Sequence, residues 1–330
     1  MSELSNLRIN MLFVLLLTFA IGIAILYAIL YVLGVRSYYA LAVIAFFVVL
    51  DIYISPKLLF SYSKLRYIGP DEYPQLQEAI EVLSRKAGIP KPRIAIAPAQ
   101  EPNIFTFGRT KRGATIAFHE SLLPILSKEE LYAAVWHEMG HIRHSDFIAM
   151  TLVSFIPLLA WGLTQDILWT ETNGEPRRGN SYLFVFGILA FIVYFISGLL
   201  TLPLSKQREL YADGYAASMY KKPEYLASAL YKLNIANLAV QNASRSSTSA
   251  RAFYIIDFFT IDNDAKALRS HMSQVKELLP EADFSALSSS AAASRNGLLG
   301  MLSSLFSTHP PTYYRIIELL KIKKSGEPAA

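Results

Sequence analysis

Apolar residues in this chain gather into four long runs, and between the runs the pattern breaks into short periodic pieces. Ile9 to Val35 carries no charge, Ser37 to Pro56 carries one acid (Asp51), and Phe147 to Gln165 and Gly179 to Ser205 are again uncharged. A helix crosses a bilayer with about 20 mostly apolar residues, so each run predicts a transmembrane helix. One such run alone could equally be a buried core helix. Four of them, two in tandem at the N-terminus, exceed what the core of a soluble domain of this size holds. The first is read as retained, because its uncharged core is longer than a signal-peptide h-region and no small-x-small site separates it from the second.

The polar remainder predicts an α+β domain in two blocks. Tyr73 to Ala87 reads as a helix ended by Gly88 and Pro90. Arg93 to Ala97 reads as a strand, and Asn103 to Thr110 with Ala114 to Phe118 as a hairpin closed through Lys111-Arg112-Gly113. Ser127-Lys128-Glu129-Glu130 has the form of a capping box, and Leu131, Ala134, Val135 and Met139 follow at helical spacing, which predicts a helix over Lys128 to Arg143. Further helices are expected at Gln207 to Met219 and Tyr225 to Gln241, with partial helix over Ala252 to Leu279. Gln241 to Arg251, rich in Ser, Asn and Arg, and Ser285 to Ser294, nearly all Ser and Ala, read as loosely ordered. The expected division is 1–60 for two spans, 61–146 for a first soluble block, 147–205 for the second pair of spans and 206–330 for a second soluble block.

Composition supports the spans and charge orients them. Hydrophobic residues make up 53% of the chain and mean hydropathy is +0.32, too apolar for an ordinary soluble domain. Basic residues follow the second run (Lys57, Lys64, Arg66), follow the fourth (Lys206, Arg208, Lys221, Lys222) and end the chain (Lys321, Lys323, Lys324). The positive-inside rule makes these segments cytoplasmic, which places both soluble blocks on one side of a multi-pass protein of the cell membrane. Asp51, six residues before Lys57, is expected at the interface. The net charge of +5 suits a domain lying against anionic lipid, and no nucleic-acid motif competes for it. Cysteine is absent, so any metal must be held by histidine and carboxylate.

The capped helix carries His137-Glu138-Met139-Gly140-His141. Residues four apart on a helix share a face, so two imidazoles can each give a nitrogen to one Zn²⁺ while the intervening glutamate acts as base. A solvated face with two ordinary histidines is the bland alternative, and the capping box and apolar stripe weigh against it. Gly140 would let another element come close. A catalytic zinc needs a third protein ligand, and Arg208-Glu209-Leu210-Tyr211-Ala212-Asp213 offers two carboxylates four apart. Glu209 is expected as the ligand, and Asp213 as an acceptor that orients one zinc histidine.

These two segments resemble the HtpX-type membrane-integrated zinc metalloproteases, relatives of the CAAX prenyl proteases. Pro102-Asn103-Ile104-Phe105-Thr106-Phe107-Gly108 is similar to the family's Pro-Asn-Ala-Phe-Ala-x-Gly edge strand, with Ile104 where alanine is usual. Ser127 to Asp146 matches the motif helix and its exit. Thr308-His309-Pro310-Pro311-Thr312, with Arg315 and Ile316, is similar to the C-terminal motif. The resemblance implies a zincin-like α+β domain, with a small sheet and an active-site helix, joined to four transmembrane helices. It implies one Zn²⁺ on His137, His141 and Glu209, with Glu138 as general base, and protein or peptide substrates in the quality control of misfolded membrane proteins under stress. His309 is the candidate for stabilising the oxyanion. Asn103, Phe105 and Thr106 would receive an extended substrate by β-augmentation. A CAAX-type processing protease and a non-catalytic membrane scaffold are the alternatives. Four spans argue against the first, and an intact Glu138 against the second.

Overall fold

A computed structural model describes residues 37–147, 181–243, 261–279 and 309–325, with isolated positions between 13 and 34. The expected spans over 9–35 and 147–165 lie largely outside the described residues, as do the segments 244–251 and 285–294. Among the described residues no helix is long and apolar enough to cross a membrane, and the side chains of many positions in 37–51 and 181–201 are not described.

Four strands form one mixed sheet in the order β1-β2-β4-β3: β1 (Arg66–Tyr67), β2 (Arg93–Ala97), β3 (Ile104–Phe107) and β4 (Thr115–His119). β2 runs parallel to β4, and β1 and β3 are antiparallel to their neighbours. The expected hairpin is present, turning through a short 3₁₀ segment at Lys111–Gly113. Thr110 caps that segment by accepting from the Gly113 amide at 3.1 Å. Side chains alternate along a strand, and here both faces are buried. Ile94, Ile96, Ile104, Ile116 and Phe118 enter the main core, while Ala95, Ala97, Phe105, Phe107 and Ala117 face a second, smaller one.

Helices cover both faces. α1 (Ser37–Tyr62) brings Leu59 and Phe60 against the second core, where Phe60 stacks on Tyr67. α2 (Pro74–Ala87) and α3 (Lys128–His144) close the main core with Leu76, Ile80, Leu131, Val135 and Met139. Each such side chain contributes about 1.5–3 kcal/mol on burial. α2 ends as its sequence predicts, with Gly88 in the left-handed region at φ 63°. α4 (Ser181–Tyr220), α5 (Pro223–Ala243), α6 (Ile261–Ser270), α7 (Met272–Leu278) and α8 (Thr312–Ser325) complete the described structure.

Two expected boundaries differ. The helix expected at Gln207 to Met219 is the C-terminal part of α4, a 40-residue helix that continues through Pro203. No glycine or cap separates Ser205 from Gln207, and one proline removes a single backbone hydrogen bond without ending the helix. α1 likewise passes through Pro56 and runs on to Tyr62.

Candidate metal centre

Ser127 begins α3 with a complete capping box. Its hydroxyl accepts from the Glu130 amide at 3.3 Å, and Glu130 Oε2 accepts from the Ser127 amide at 2.7 Å. The helix thus anchored carries His137 and His141 one turn apart on a buried face, with their Nε2 atoms 3.2 Å apart. α4 crosses α3 at Gly140. A Cβ there would stand 3.3 Å from Ala212 Cα and 3.2 Å from Tyr215 Cδ1, so only glycine permits this approach without a shift. His137 and His141 flank Gly140 in the same way that Glu209 and Asp213 flank Ala212. The crossing therefore brings all four to one place. Glu209 Oε2 lies 3.3 Å from His137 Nε2, and its Oε1 lies 3.5 Å from His141 Nε2.

These spacings fit zinc. An ion with bonds of about 2.0–2.1 Å holds tetrahedral donors about 3.3 Å from one another, and the three separations here are 3.2, 3.3 and 3.5 Å. Glu138 also offers an oxygen within 4.8 Å of both rings, and Glu209, at 3.3 and 3.5 Å from the two Nε2 atoms, has the spacing of a third ligand. The outer ring nitrogens point the same way chemically. His141 Nδ1 is 2.7 Å from Asp146 Oδ2, and His137 Nδ1 is 2.9 Å from Asp213 Oδ1, although that N–H is not aimed straight at the oxygen. With a proton on each Nδ1, both Nε2 lone pairs face each other and a carboxylate. Glu209 Oε2, buried, has no hydrogen-bond partner among the described residues. Three electron-rich donors so arranged call for a cation. The same charge distribution works against burial to raise the His137 imidazolium to about 9, through Asp213 and Glu209. It holds Glu209 well below the usual carboxylate range despite burial, through His309, His137, His141 and Arg315.

Glu138 is 2% exposed, and burial pushes its carboxyl up, with His141, His137 and the Thr106 hydroxyl opposing. His309 is buried, with Nε2 3.7 Å from Glu209 Oε1. Of the expected substrate residues, Thr106 shares the sheet face that looks toward α3. Phe105 points the other way, into the second core beside Phe107 and edge-on to His119, so it can meet a substrate only through its backbone. Asn103 is fully buried, and its carbonyl accepts from the His119 amide at 3.0 Å. β3 lies at the edge of the sheet, so one of its sides has no strand neighbour among the described residues.

Three residues had no role assigned from sequence. Asp146 reaches His141 because Ser145 ends α3 in the left-handed region at φ 59° and turns the chain back under the helix. Arg208 Nε lies 3.4 Å from Asp146 Oδ2. Arg315, at the start of α8, forks onto Asp213 through two contacts of 2.7 Å and approaches Glu209 Oε2 at 3.5 Å. A buried acid immediately before an apolar run was the available signal for Asp146. Arg208 stands directly before Glu209 and Arg315 six residues after His309, but no local spacing pairs either with its aspartate.

A family model described as Peptidase family M48 matches residues 70–323. The chain belongs to this peptidase family. It is a zinc metalloprotease, and the M48 match spans every residue of the metal centre. A Protease HtpX homolog of Methanothermobacter thermautotrophicus is 38% identical over 229 residues, covering 69% of this chain and 86% of that protein. A Protease HtpX homolog of Methanocaldococcus jannaschii is 30% identical over 315 residues, covering 93% of this chain and 96% of that protein. The crystal structure of S. mikatae Ste24p is similar at a TM-score of 0.48 with 17% identity, covering 95% of this chain and 66% of that one.

Proposed function

We propose that this M48 peptidase is a membrane-anchored endopeptidase that works at the cytoplasmic membrane surface and degrades misfolded or damaged membrane proteins. The observation that carries the reading is the convergence of His137, His141 and Glu209 at the separations of a tetrahedral zinc site, with Glu138 buried beside them. When bound, zinc supplies a Lewis acid that polarises the scissile carbonyl and activates water. Glu138 takes the proton of the attacking water and passes it to the leaving amine, a role suited to a carboxyl raised by burial. In this reading His309, whose Nε2 lies 3.7 Å from Glu209 Oε1, donates to the developing oxyanion. β3 receives an extended peptide along its open edge through backbone hydrogen bonds, a permissive mode that accepts many sequences.

Membrane anchoring draws on the four apolar runs and on two exposed apolar stripes. Ile188, Phe191, Ile192, Phe195, Ile196 and Leu199 form one on α4, and Phe46, Val49, Tyr53 and Ile54 form another on α1. In this reading residues 1–60 and 147–205 are membrane pairs, and residues 61–146 and 206–330 build one cytoplasmic protease domain.

The test is the Glu138→Ala variant of the full chain in detergent or nanodiscs. It should keep one zinc per chain and lose casein hydrolysis by about 10²–10⁴-fold. Turnover near that of the unmodified protein sinks the mechanism. Cleavage of a prenylated peptide in preference to casein would replace the quality-control reading with a processing one.

A further inference from the structure

Each zinc histidine has its own aspartate, and each aspartate has its own arginine. On one side the order is His137 Nδ1, Asp213 and Arg315, at 2.9 Å and then 2.7 Å for both arms of the guanidinium fork. On the other it is His141 Nδ1, Asp146 and Arg208, at 2.7 Å and then 3.4 Å, where Arg208 Nε pairs by charge and makes no hydrogen bond among the described residues. All six side chains are buried. We propose that Arg315 and Arg208 are positioning residues of the metal centre. Each holds one aspartate in place beside the outer nitrogen of a zinc histidine, and so fixes which ring nitrogen is left to bind metal.

The inference rests on the zinc reading above and on charge. Four carboxylates (Glu138, Asp146, Glu209 and Asp213) are buried around the two rings, and two guanidiniums face them. The Arg315 fork grips both oxygens of Asp213 and so fixes where that carboxylate sits beside the His137 ring. Without that grip the carboxylate can swing off the ring, and the imidazole loses the partner that orients it. Arg315 also stands 3.5 Å from Glu209 Oε2, which orients the third ligand from the same fork. The two arginines enter from different parts of the chain, α8 and the middle of α4. The metal centre therefore reads the seating of both.

The experiment is a zinc titration of chelator-stripped full-length protein against a chromophoric chelator, with Co²⁺ absorption reporting the ligand set. Arg315→Met should weaken zinc by about 10–100-fold, the usual effect of losing such a partner. Arg208→Gln should move affinity the same way by less, given its longer contact. Arg315→Lys should recover part of the affinity, because an ammonium keeps the charge but not the fork. The double variant Asp213→Asn/Arg315→Met removes both charges together. It should unfold cooperatively like the parent, yet stay at least about tenfold weaker for zinc with an altered Co²⁺ spectrum. Parental zinc affinity in Arg315→Met or in the double variant overturns the proposal, and shows a pair that serves stability alone. Failure of the parent protein itself to take up zinc would instead overturn the zinc reading beneath it.

Discussion

At Gly140 a hydrogen atom stands where any other residue would place a Cβ 3.2 Å from Tyr215 Cδ1 and 3.3 Å from Ala212 Cα. The residue has no polar side chain, but it sets the distance between the helix that carries His137 and His141 and the helix that carries Glu209. Alanine would raise helix propensity by about 1 kcal/mol and force α3 and α4 apart by a few tenths of an ångström. Valine would add an overpacking cost of about 1–3 kcal/mol. Because the donor separations are 3.2–3.5 Å, a small displacement already exceeds what the site tolerates. Gly140→Ala should therefore bind zinc more weakly with little change in melting temperature, and Gly140→Val should lose both zinc and stability. Zinc titration beside thermal unfolding checks this. Unchanged affinity in both variants would mean that the helix spacing is set elsewhere.

α3 is positioned from its N-terminus as much as from its core face. Glu130 closes the capping box and also accepts from Ser228 Oγ at 2.5 Å and from Lys232 Nζ at 2.8 Å, which ties the start of α3 to α5. Burial would raise this carboxyl, but Lys232, Ser228 and the Ser127 amide outweigh it and hold it below 4.5. A carboxyl depressed on folding stabilises the protein above its unfolded pKa, and that contribution is lost as pH falls through the folded value. The parent should thus lose stability as pH drops below 4.5 more steeply than Glu130→Gln, measured by denaturant unfolding at pH 3 to 6. Ser127→Ala, which removes only the cap hydroxyl, should cost about 1 kcal/mol at neutral pH. Parallel acid profiles for the parent and Glu130→Gln would show that the ionised pair does not hold α3 to α5.

For the molecule as a whole, the proposed zinc site requires Glu209 to meet His137 and His141, although a pair of apolar runs lies between them in sequence. Contact is preserved if the chain crosses a membrane an even number of times between these residues. Labels at Asn173 and at Ala330 should accordingly report opposite sides of the membrane in intact cells. Finding both on one side would refute the four-span reading and require another explanation for how the site is assembled.

The sequence alone determined whatever depends on local periodicity and local chemistry. The capping box, the i,i+4 histidines, the hairpin, the Gly88 stop and the pairing of Glu209 with Asp213 each depend on residues a few positions apart. Backbone geometry dictates those relations without reference to the rest of the chain. Continuity was less legible: α4 runs unbroken from Ser181 to Tyr220, because a change from apolar to charged residues alters what a helix faces and does not end it where no glycine or cap intervenes. Only the tertiary structure decided which groups surround His137, His141 and Glu209. Asp146 reaches His141 by a left-handed turn at Ser145, and Arg315 reaches Asp213 from 102 residues away. Phe105 was placed by the sheet rather than by its motif, because strand alternation turned it toward Leu59 and away from Glu138. Contacts of this kind follow from how buried surfaces and buried charges find partners across the fold, and no spacing along the chain encodes them.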